Sequence, residues 1–506
     1  MRNGKKITYN LMLGFISEIV TILLGIIVPR LVLTNYGSEV NGLINSVTQI
    51  YAYIALLEAG IGAATVQALY RTLGKNSRAE TNAVLAATNR YYHRTGLLYL
   101  LSILIFSTLY PLFIKSDIPF VTIVLVIVFN GLGSVINFFF QKKYLILLQA
   151  EGKNYIQSSL TMFTNVFRNV ARIVLIACGF DVVFVQAIAM VVSLIQMLYI
   201  TWYIKRNYSW IDLTVKPDYS SISQSKNVLI HQISGLAFDN TDTVLLTIFA
   251  GLKTVSIYSV YTLLFSMIRT AISTISNSID FVLGQTFHTD RKRFIQLYDV
   301  YELYYITTVF ALYSVANFFI LPFIKLYTSG VTDIEYVDAY LPLLFILIYL
   351  LSCGRYAPMK TIEFAVHFKQ TQYRSILGSV INVTVSLIAV QRFGIYGVLM
   401  GTIVALLYRS NDMILYANHK ILNRKAWPTY KRWLINLTLF ILQLWINQKI
   451  HLRLDSYMDI IMWCIPYTIV TLILFFGVAS LTEWNSAKFA WGLLKSNLIN
   501  RSITRR

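Results

Sequence analysis

Four arginines lie within long apolar segments, where a cation is costly unless it faces protein or water. Arg168 and Arg172 are four residues apart, so they share one helical face, which also carries Asn165. Two guanidinium groups on one face repel each other and favour a bound anion. The planar guanidinium offers paired hydrogen bonds that suit phosphate, and it does not lose its proton. We therefore predict a pyrophosphate-binding site formed by Arg168, Arg172, Arg269 and Arg30.

Four carboxylates lie in apolar segments of the same kind. They are Glu18, Glu58, Asp239 and Asp242, and the two aspartates share one helical face. Neutralisation of the buried arginines is the simpler interpretation of these groups. The alternative is that Glu18, Asp239 and Asp242 bind a proton or a sodium ion, as carboxylates inside a membrane do elsewhere.

A polar stripe follows the apolar segment 254–283. Its members recur at three- and four-residue spacing: Tyr258, Thr262, Ser266, Arg269, Ser273, Ser276 and Asp280. Hydroxyl groups alone would fit close packing between helices. Because Arg269 lies on the same stripe, we favour a water-lined face over simple packing.

The composition identifies the class of protein that carries these residues. The chain has 506 residues, of which 56% are hydrophobic and 13% charged, with a mean hydropathy of +0.61 and a net charge of +20. A soluble protein carries about 25% charged residues, so we predict an all-α polytopic membrane protein. Retention of Lys and Arg on the cytoplasmic side accounts for the basic balance, and nucleic acid is not an expected partner.

Apolar runs of about 20 residues predict about fourteen membrane-spanning helices. They lie near residues 11–33, 43–69, 95–114, 119–140, 155–178, 182–204, 228–249, 254–283, 301–324, 340–356, 373–390, 395–417, 433–447 and 459–480.

The distribution of basic residues predicts the orientation. With the N-terminus inside, roughly 33 of the 43 Lys and Arg fall in inner segments and about 7 in outer ones. The first apolar run is too long for a signal-peptide core and lacks a small-residue cleavage site, so we expect it to be retained. The sequence therefore predicts a multi-pass protein with both termini in the cytoplasm.

Motifs for catalysis and cofactor binding are missing from the sequence. It has no GxxxxGK[ST] phosphate-binding loop, and its six histidines and three cysteines lack the spacing of metal ligands. No nucleophile and base form a recognisable pair, and the outer loops are too short for a catalytic domain. We predict a transporter rather than an enzyme, with no catalytic residues, metal or cofactor, and with a gradient of H⁺ or Na⁺ as the candidate energy source.

An internal repeat relates the two halves of the chain. Residues 37–42 align with residues 251–256, and residues 151–153 align with residues 367–369, both at an offset of about 215 residues. Such an offset is typical of transporters built by duplication. We predict an N-terminal six-helix bundle at 1–210, a pseudo-symmetric second bundle at 211–430, and two further helices with a basic tail at 431–506.

Seven short motifs resemble those of a known family. They are PR at 29–30, YGSEVNGL at 36–43, LEAGIG at 57–62, ALY at 68–70, VSIYSVY at 255–261, HFKQTQ at 367–372 and FGIYGV at 393–398. Up to about Arg432, the chain resembles the Wzx-like bacterial polysaccharide flippases of the multidrug, oligosaccharidyl-lipid and polysaccharide exporter superfamily. A glycine often precedes the motif histidine in that family, whereas this chain has Val366.

The resemblance implies a function and a set of partners. A Wzx-like protein would be a V-shaped pair of six-helix bundles in the bacterial cytoplasmic membrane. It would move undecaprenyl pyrophosphate-linked oligosaccharide to the outer leaflet by alternating access, for capsule, exopolysaccharide or O-antigen synthesis. The expected partners are this lipid-linked glycan, membrane lipids and glycan polymerase or assembly proteins. The arginines would bind the pyrophosphate, and the polar stripes would solvate the glycan.

Three alternatives are open at this point. A multidrug exporter of the same superfamily should have a cavity dominated by carboxylates and aromatic residues, and the arginines argue against it. A lipid II flippase shares the number of spans and the basic cavity residues. A membrane glycan polymerase fits least, because it would need a sizeable outer loop with catalytic residues.

Overall fold

The computed structural model describes residues 2–58, 61–222, 238, 240–450 and 452–503. Side chains are described from Thr21 to Lys495, apart from a few positions. Over these ranges the chain is helical and contains no strand. The prediction of an all-α membrane protein is therefore confirmed.

Seventeen helices follow one another along the described ranges. They are α1 (Arg2–Ile54), α2 (Ile61–Gly74), α3 (Arg78–Phe113), α4 (Phe120–Ile136), α5 (Lys142–Ala150), α6 (Asn154–Ala177), α7 (Val182–Asn207), α8 (240–249), α9 (Leu252–Thr289), α10 (Arg291–Tyr327), α11 (Leu341–Gly354), α12 (Tyr356–Phe364), α13 (Phe368–Phe393), α14 (Ile395–Tyr416), α15 (Trp427–Asn447), α16 (Tyr457–Thr482) and α17 (Trp484–Ile503).

Ten of the fourteen predicted spans coincide with helical segments of the described chain that are long and apolar enough to cross a membrane. Of the other four, the spans at 11–33 and 43–69 fall in the two halves of α1 with α2, and the span at 433–447 falls in α15. The span at 228–249 lies largely outside the described residues, which include only 238 and α8. The short pairs α4–α5 and α11–α12 each form one span.

Helix α1 contains the break between the first two predicted spans. Gly37 has φ 83° and ψ 176°, a backbone conformation that glycine adopts without a Cβ clash. The second half of the helix begins at Ser38, whose backbone N–H and hydroxyl both donate to the Asp333 carboxylate, at 2.9 and 2.7 Å. A carboxylate at this position satisfies a free N–H and opposes the helix dipole.

Close contacts divide the chain into two compact units. Unit 1 is Met1–Ser259 with Gly330–Ile334, and unit 2 is Val260–Ser329 with Glu335–Arg506. In unit 1, α4 packs against α3 and α7, and α1 packs against α6. In unit 2, α13 packs against α14, and α10 packs against α11, α15 and α16. The predicted domain boundaries at 210/211 and 430/431 describe the proposed duplication, not these two compact units, and they stay a prediction.

The backbone carries the internal repeat at three positions. Three pairs of residues with left-handed φ stand 214 or 215 positions apart: Gly37 (83°) and Gly251 (84°), Gly152 (72°) and Val366 (57°), Gly179 (77°) and Gly394 (53°). A shared offset for residues that end or begin helices supports the predicted duplication.

One of these pairs shows that the repeat keeps its turn without its glycine. The Gly152 N–H donates to the Gln149 carbonyl at 3.0 Å, and the Val366 N–H donates to the Glu363 carbonyl at the same distance. Each turn is the left-handed end of a helix. A β-branched residue in this conformation costs about 1–2 kcal/mol, so Val366 is a strained version of the Gly152 turn.

Candidate functional site

The arginine pair of unit 1 lies on α6 and is held by side-chain amides. Arg168 donates from Nη2 to Oδ1 of Asn165, one turn earlier, at 2.5 Å. Arg172 donates from Nη2 to Oε1 of Gln186 at 3.1 Å. Gln186 lies on α7, which packs against α6, and its side chain is buried. The amides therefore orient both guanidinium groups, but as neutral groups they do not compensate the two positive charges.

Neither arginine of this pair forms an ion pair within the described part of the chain. In addition, Nε of Arg168 and Nε of Arg172 are buried without a hydrogen-bond partner there. An unsatisfied N–H of a buried cation is costly, and an oxyanion would satisfy both groups at once. This combination of two adjacent cations and two unused donors is the strongest chemical feature of unit 1.

Arg269 occupies the middle of the polar stripe on α9, in unit 2. Its side chain is exposed, and it interacts electrostatically with Tyr305, Tyr313 and Cys353. No carboxylate pairs with it in the described chain. Arg269 therefore lies in a different unit from Arg168 and Arg172. It is a third positive charge that has no ion pair among the described residues.

The rest of the α9 stripe is half-buried or, at Ser276, buried. Ser276 is buried, and its hydroxyl donates to the Ile272 carbonyl of the same helix at 3.1 Å. The Thr262 hydroxyl is buried without a hydrogen-bond partner in the described chain. Asp280 accepts from the Tyr356 hydroxyl at 2.8 Å and pairs with Lys360 at 3.3 Å, so its charge is compensated.

The remaining predicted arginine, Arg30, is half-buried in the first half of α1, seven residues before Gly37. It belongs to unit 1, as the α6 pair does. Helix α1 packs against α6, which carries that pair.

The predicted carboxylates have different surroundings. Asp242 is buried in unit 1 and accepts from the Tyr258 hydroxyl at 3.1 Å. Glu58 pairs with Lys142 at 2.7 Å and accepts from the Tyr92 hydroxyl at 3.1 Å, so a lysine compensates it.

Two further predicted residues cannot be placed in this way. Asp239 lies outside the described residues, and Glu18 lies in α1 but its side chain is outside the described ones.

Unit 2 also contains a buried ionic network, and none of its residues is among the predicted site residues. Arg432 on α15 donates to Glu302 at 2.5 Å, to Asp299 at 3.1 Å and to Glu483 at 2.7 Å. Arg424 pairs with Asp299 at 2.7 Å. Glu302 is 0% exposed and Arg432 is 2% exposed, so this network links α10, α15 and the end of α16 in a buried environment.

The sequence contained one signal for this network. Asp299 and Glu302 are three residues apart at the start of an apolar span, so they share a face that needs cations. Arg424 and Arg432 are among the inner-side basic residues that predict the orientation. Their partners on α10 lie more than a hundred positions away along the chain, and Glu483 lies 51 positions from Arg432, so helical spacing carries no information about these contacts.

A second polar cluster of unit 2 joins α13 and α14. The Asn382 side chain is fully buried, and its Oδ1 accepts from the Ser386 hydroxyl at 3.1 Å and from the Thr402 hydroxyl at 3.2 Å. Side-chain oxygen atoms that lie close together between two membrane-spanning helices usually stabilise the helix packing or bind a cation.

The fold resembles solved structures of two kinds of transporter. A structure of the lipid II flippase MurJ in an inward closed conformation matches with a TM-score of 0.69 and 11% identity, covering 94% of this chain and 99% of that chain. An inward-facing multidrug resistance MATE family transporter of the MOP superfamily matches with a TM-score of 0.64 and 16% identity, covering 79% of this chain and 94% of that chain. An outward-facing MATE family transporter matches with a TM-score of 0.55 and 16% identity, covering 80% and 94%.

These structures are similar in fold rather than in sequence. No family model matches the chain, and no curated protein sequence matches it. At 11–16% identity the likeness establishes the transporter fold. The substrate has to be argued from the side chains.

Proposed function

We propose that this chain is a flippase that moves undecaprenyl pyrophosphate-linked oligosaccharide repeat units across the bacterial cytoplasmic membrane by alternating access. It would act in the synthesis of capsule, exopolysaccharide or O-antigen. The observation that carries the proposal is the α6 pair, in which Arg168 and Arg172 have amide partners, unused N–H donors and no ion pair among the described residues. A pyrophosphate supplies the missing negative charge and the missing acceptors.

The fold supports the same conclusion in coarser terms. The lipid II flippase MurJ, with which the chain shares its fold over almost its full length, is by its name a flippase of a membrane lipid. A glycan on a lipid carrier needs a polar path across about 30 Å of hydrocarbon, because its hydroxyl groups cannot enter lipid unsatisfied. In this proposal the polar face of α6 that carries Asn165, Arg168 and Arg172 contributes to that path, and the α9 stripe with Arg269 offers further polar surface within unit 2.

Asp242 is the proposed coupling residue. It is a buried carboxylate with a tyrosine hydroxyl as one partner, which suits reversible binding of a proton or Na⁺. In proteoliposomes, we expect Asp242→Asn to remove the dependence of transport on an imposed H⁺ or Na⁺ gradient. Unchanged gradient dependence would exclude Asp242 from coupling while leaving the substrate assignment open.

A multidrug exporter is the second candidate function, because MATE transporters share the fold. It predicts transport of organic cations, which three arginines without an ion pair among the described residues would repel. The two functions therefore make opposite predictions for the arginine variants: loss of charge abolishes flipping of an anionic lipid, and it improves export of a cation.

The test is the leaflet distribution of a labelled undecaprenyl pyrophosphate-linked repeat unit in proteoliposomes. The purified protein should accelerate its translocation, and Arg168→Ala or Arg269→Ala should abolish the acceleration. Arg392→Ala is the matched control, because Arg392 is an exposed arginine outside the stripes, and it should retain full activity. Normal activity of both test variants would refute the anion site. Inactivity of the wild type with native substrate under both gradients would refute the flippase.

A further inference from the structure

The outward face of α17 combines two tryptophans with two lysines. Trp484, Lys488, Trp491 and Lys495 are exposed and follow one another at intervals of four, three and four residues, so they lie along one side of the helix. The tryptophans are 64% and 71% exposed. The opposite side is half-buried and includes Leu493, which faces the cavity described next. Other tryptophans, such as Trp427 at 63% and Trp445 at 60%, are similarly exposed, and α17 differs in placing two tryptophans and two lysines on one face.

The start and the middle of α17 lie near α10. Glu483, the residue before α17, is bound to the Arg432 guanidinium together with Asp299 of α10. Ten residues later, Leu493 lines a cavity of about 350 Å³ with Arg293 of α10. The first half of α17 therefore lies beside the N-terminal part of α10, and its exposed face points away from α10.

The charge of the segment suits a negatively charged surface. Residues 484–506 contain five basic residues and no Asp or Glu, giving a charge of +5. Lys and Arg near an anionic leaflet are attracted to its phosphates, and tryptophan is enriched at the headgroup level, where its ring is apolar and its N–H is wet. A helix that begins two residues after the end of the membrane-spanning α16 starts at that depth.

We propose that α17 is a membrane-surface anchor whose exposed face, formed by Trp484, Lys488, Trp491 and Lys495, binds anionic phospholipid. The lipid belongs to the leaflet on the side of the N-terminal end of α10. Trp484 and Trp491 enter the headgroup region, and the two lysines contact lipid phosphates. Because Glu483 ties the start of α17 to the Arg432 network, lipid binding also stabilises the packing of α10, α15 and α16. This interaction does not depend on the substrate that the protein carries.

The experiment uses the full chain in nanodiscs made from zwitterionic lipid, with or without phosphatidylglycerol. Lipids brominated close to the headgroup quench tryptophans at interfacial depth. We expect phosphatidylglycerol to increase this quenching and to raise the temperature of thermal unfolding. Trp484→Phe with Trp491→Phe should remove the added quenching. Lys488→Glu with Lys495→Glu should remove both effects of phosphatidylglycerol while leaving the unfolding temperature in zwitterionic lipid unchanged.

Lys216→Glu with Lys425→Glu is the matched control, because it reverses two exposed lysines elsewhere and changes the net charge equally. It should keep both effects of phosphatidylglycerol. Equal losses in the two charge-reversal variants would show a general electrostatic effect and overturn the proposal. Quenching that does not change when both tryptophans are replaced would also overturn it. A Lys488→Glu/Lys495→Glu protein that keeps both lipid effects but loses surface glycan in cells would point to a protein partner at this face and refute lipid binding.

Discussion

Unit 1 and unit 2 surround their arginines in opposite ways. On α6, the half-buried Arg168 and Arg172 have one neutral amide partner each and no carboxylate among the described residues. On α15, the buried Arg432 faces three carboxylates, and one of them, Glu302, is completely buried. The Nε atoms of the α6 pair are also inaccessible to water, and an uncompensated charge in such surroundings is expensive.

The difference indicates which arginines serve the fold and which are available to a ligand. In the Arg432 network, the protein itself supplies the compensating charge, so removing one partner leaves buried charges unpaired. In the α6 pair, side-chain amides of the protein orient the two guanidinium groups. No described residue neutralises their charges, so a ligand can do so. The identity of the hydrogen-bond partner, rather than burial, therefore distinguishes an arginine that stabilises the fold from one that is available to a ligand.

The largest expected effect comes from breaking the paired side of this comparison. Arg432→Met should lower the free energy of unfolding by about 3–5 kcal/mol, because the buried Glu302 would lose its 2.5 Å ion pair and keep only the 3.8 Å contact to Arg424. The measurement is thermal or denaturant unfolding in nanodiscs, with the exposed Arg392→Met as control. A loss below about 1 kcal/mol would show that water or a rearranged Arg424 compensates Glu302.

The geometry of the α6 site is tested by keeping its charge and changing its shape. Arg172→Lys retains the positive charge but loses the planar fork, and it also loses the bond to Gln186. We expect the flipping rate at low substrate concentration to fall by roughly 10-fold to 100-fold, the equivalent of about 1.5–3 kcal/mol for a charged hydrogen bond. A rate equal to the wild type would mean that charge alone is recognised.

A smaller effect is expected at the edge of the Arg432 network. Arg424→Gln removes the 2.7 Å ion pair to Asp299, but Asp299 keeps its bond to Arg432. We predict a loss of about 1 kcal/mol in the free energy of unfolding, measured as for Arg432→Met. The neighbouring Lys425→Gln, at an exposed position, should change it by less than about 0.5 kcal/mol.

The smallest expected effect is also the most direct test of the comparison. Arg168→Met or Arg172→Met should change the free energy of unfolding by less than about 1 kcal/mol, because each removes a buried cation that has no ion pair in the described chain. The same variants should lose flipping activity. A destabilisation as large as that of Arg432→Met would show that these arginines also hold the fold together.

The candidate site could be predicted from sequence only in part. Helical spacing placed Arg168, Arg172 and Asn165 on one face, and the structure joins Arg168 to Asn165 within that face. Spacing could not identify Gln186 as the partner of Arg172, or Lys142 as the partner of Glu58, because these contacts cross between helices. The entire Arg432 network was missed for the same reason.

The sequence by itself determined the architecture. Apolar runs of about 20 residues must form helices in a membrane, because hydrocarbon offers no partner for backbone N–H and C=O groups. The predicted repeat also rests on sequence alone, and at its offset Val366 keeps the positive φ of Gly152 although its residue type disfavours it.

Only the tertiary structure decided which charges are compensated. The period of a helix specifies the direction of a side chain, but the neighbour it meets depends on how helices far apart in sequence pack together. Glu302 and Arg432 are 130 positions apart and make a 2.5 Å ion pair, whereas Arg168 and Arg172 are neighbours on one face and find no carboxylate in the described chain. Electrostatic energy depends on distances of a few ångströms, and those distances are set by packing.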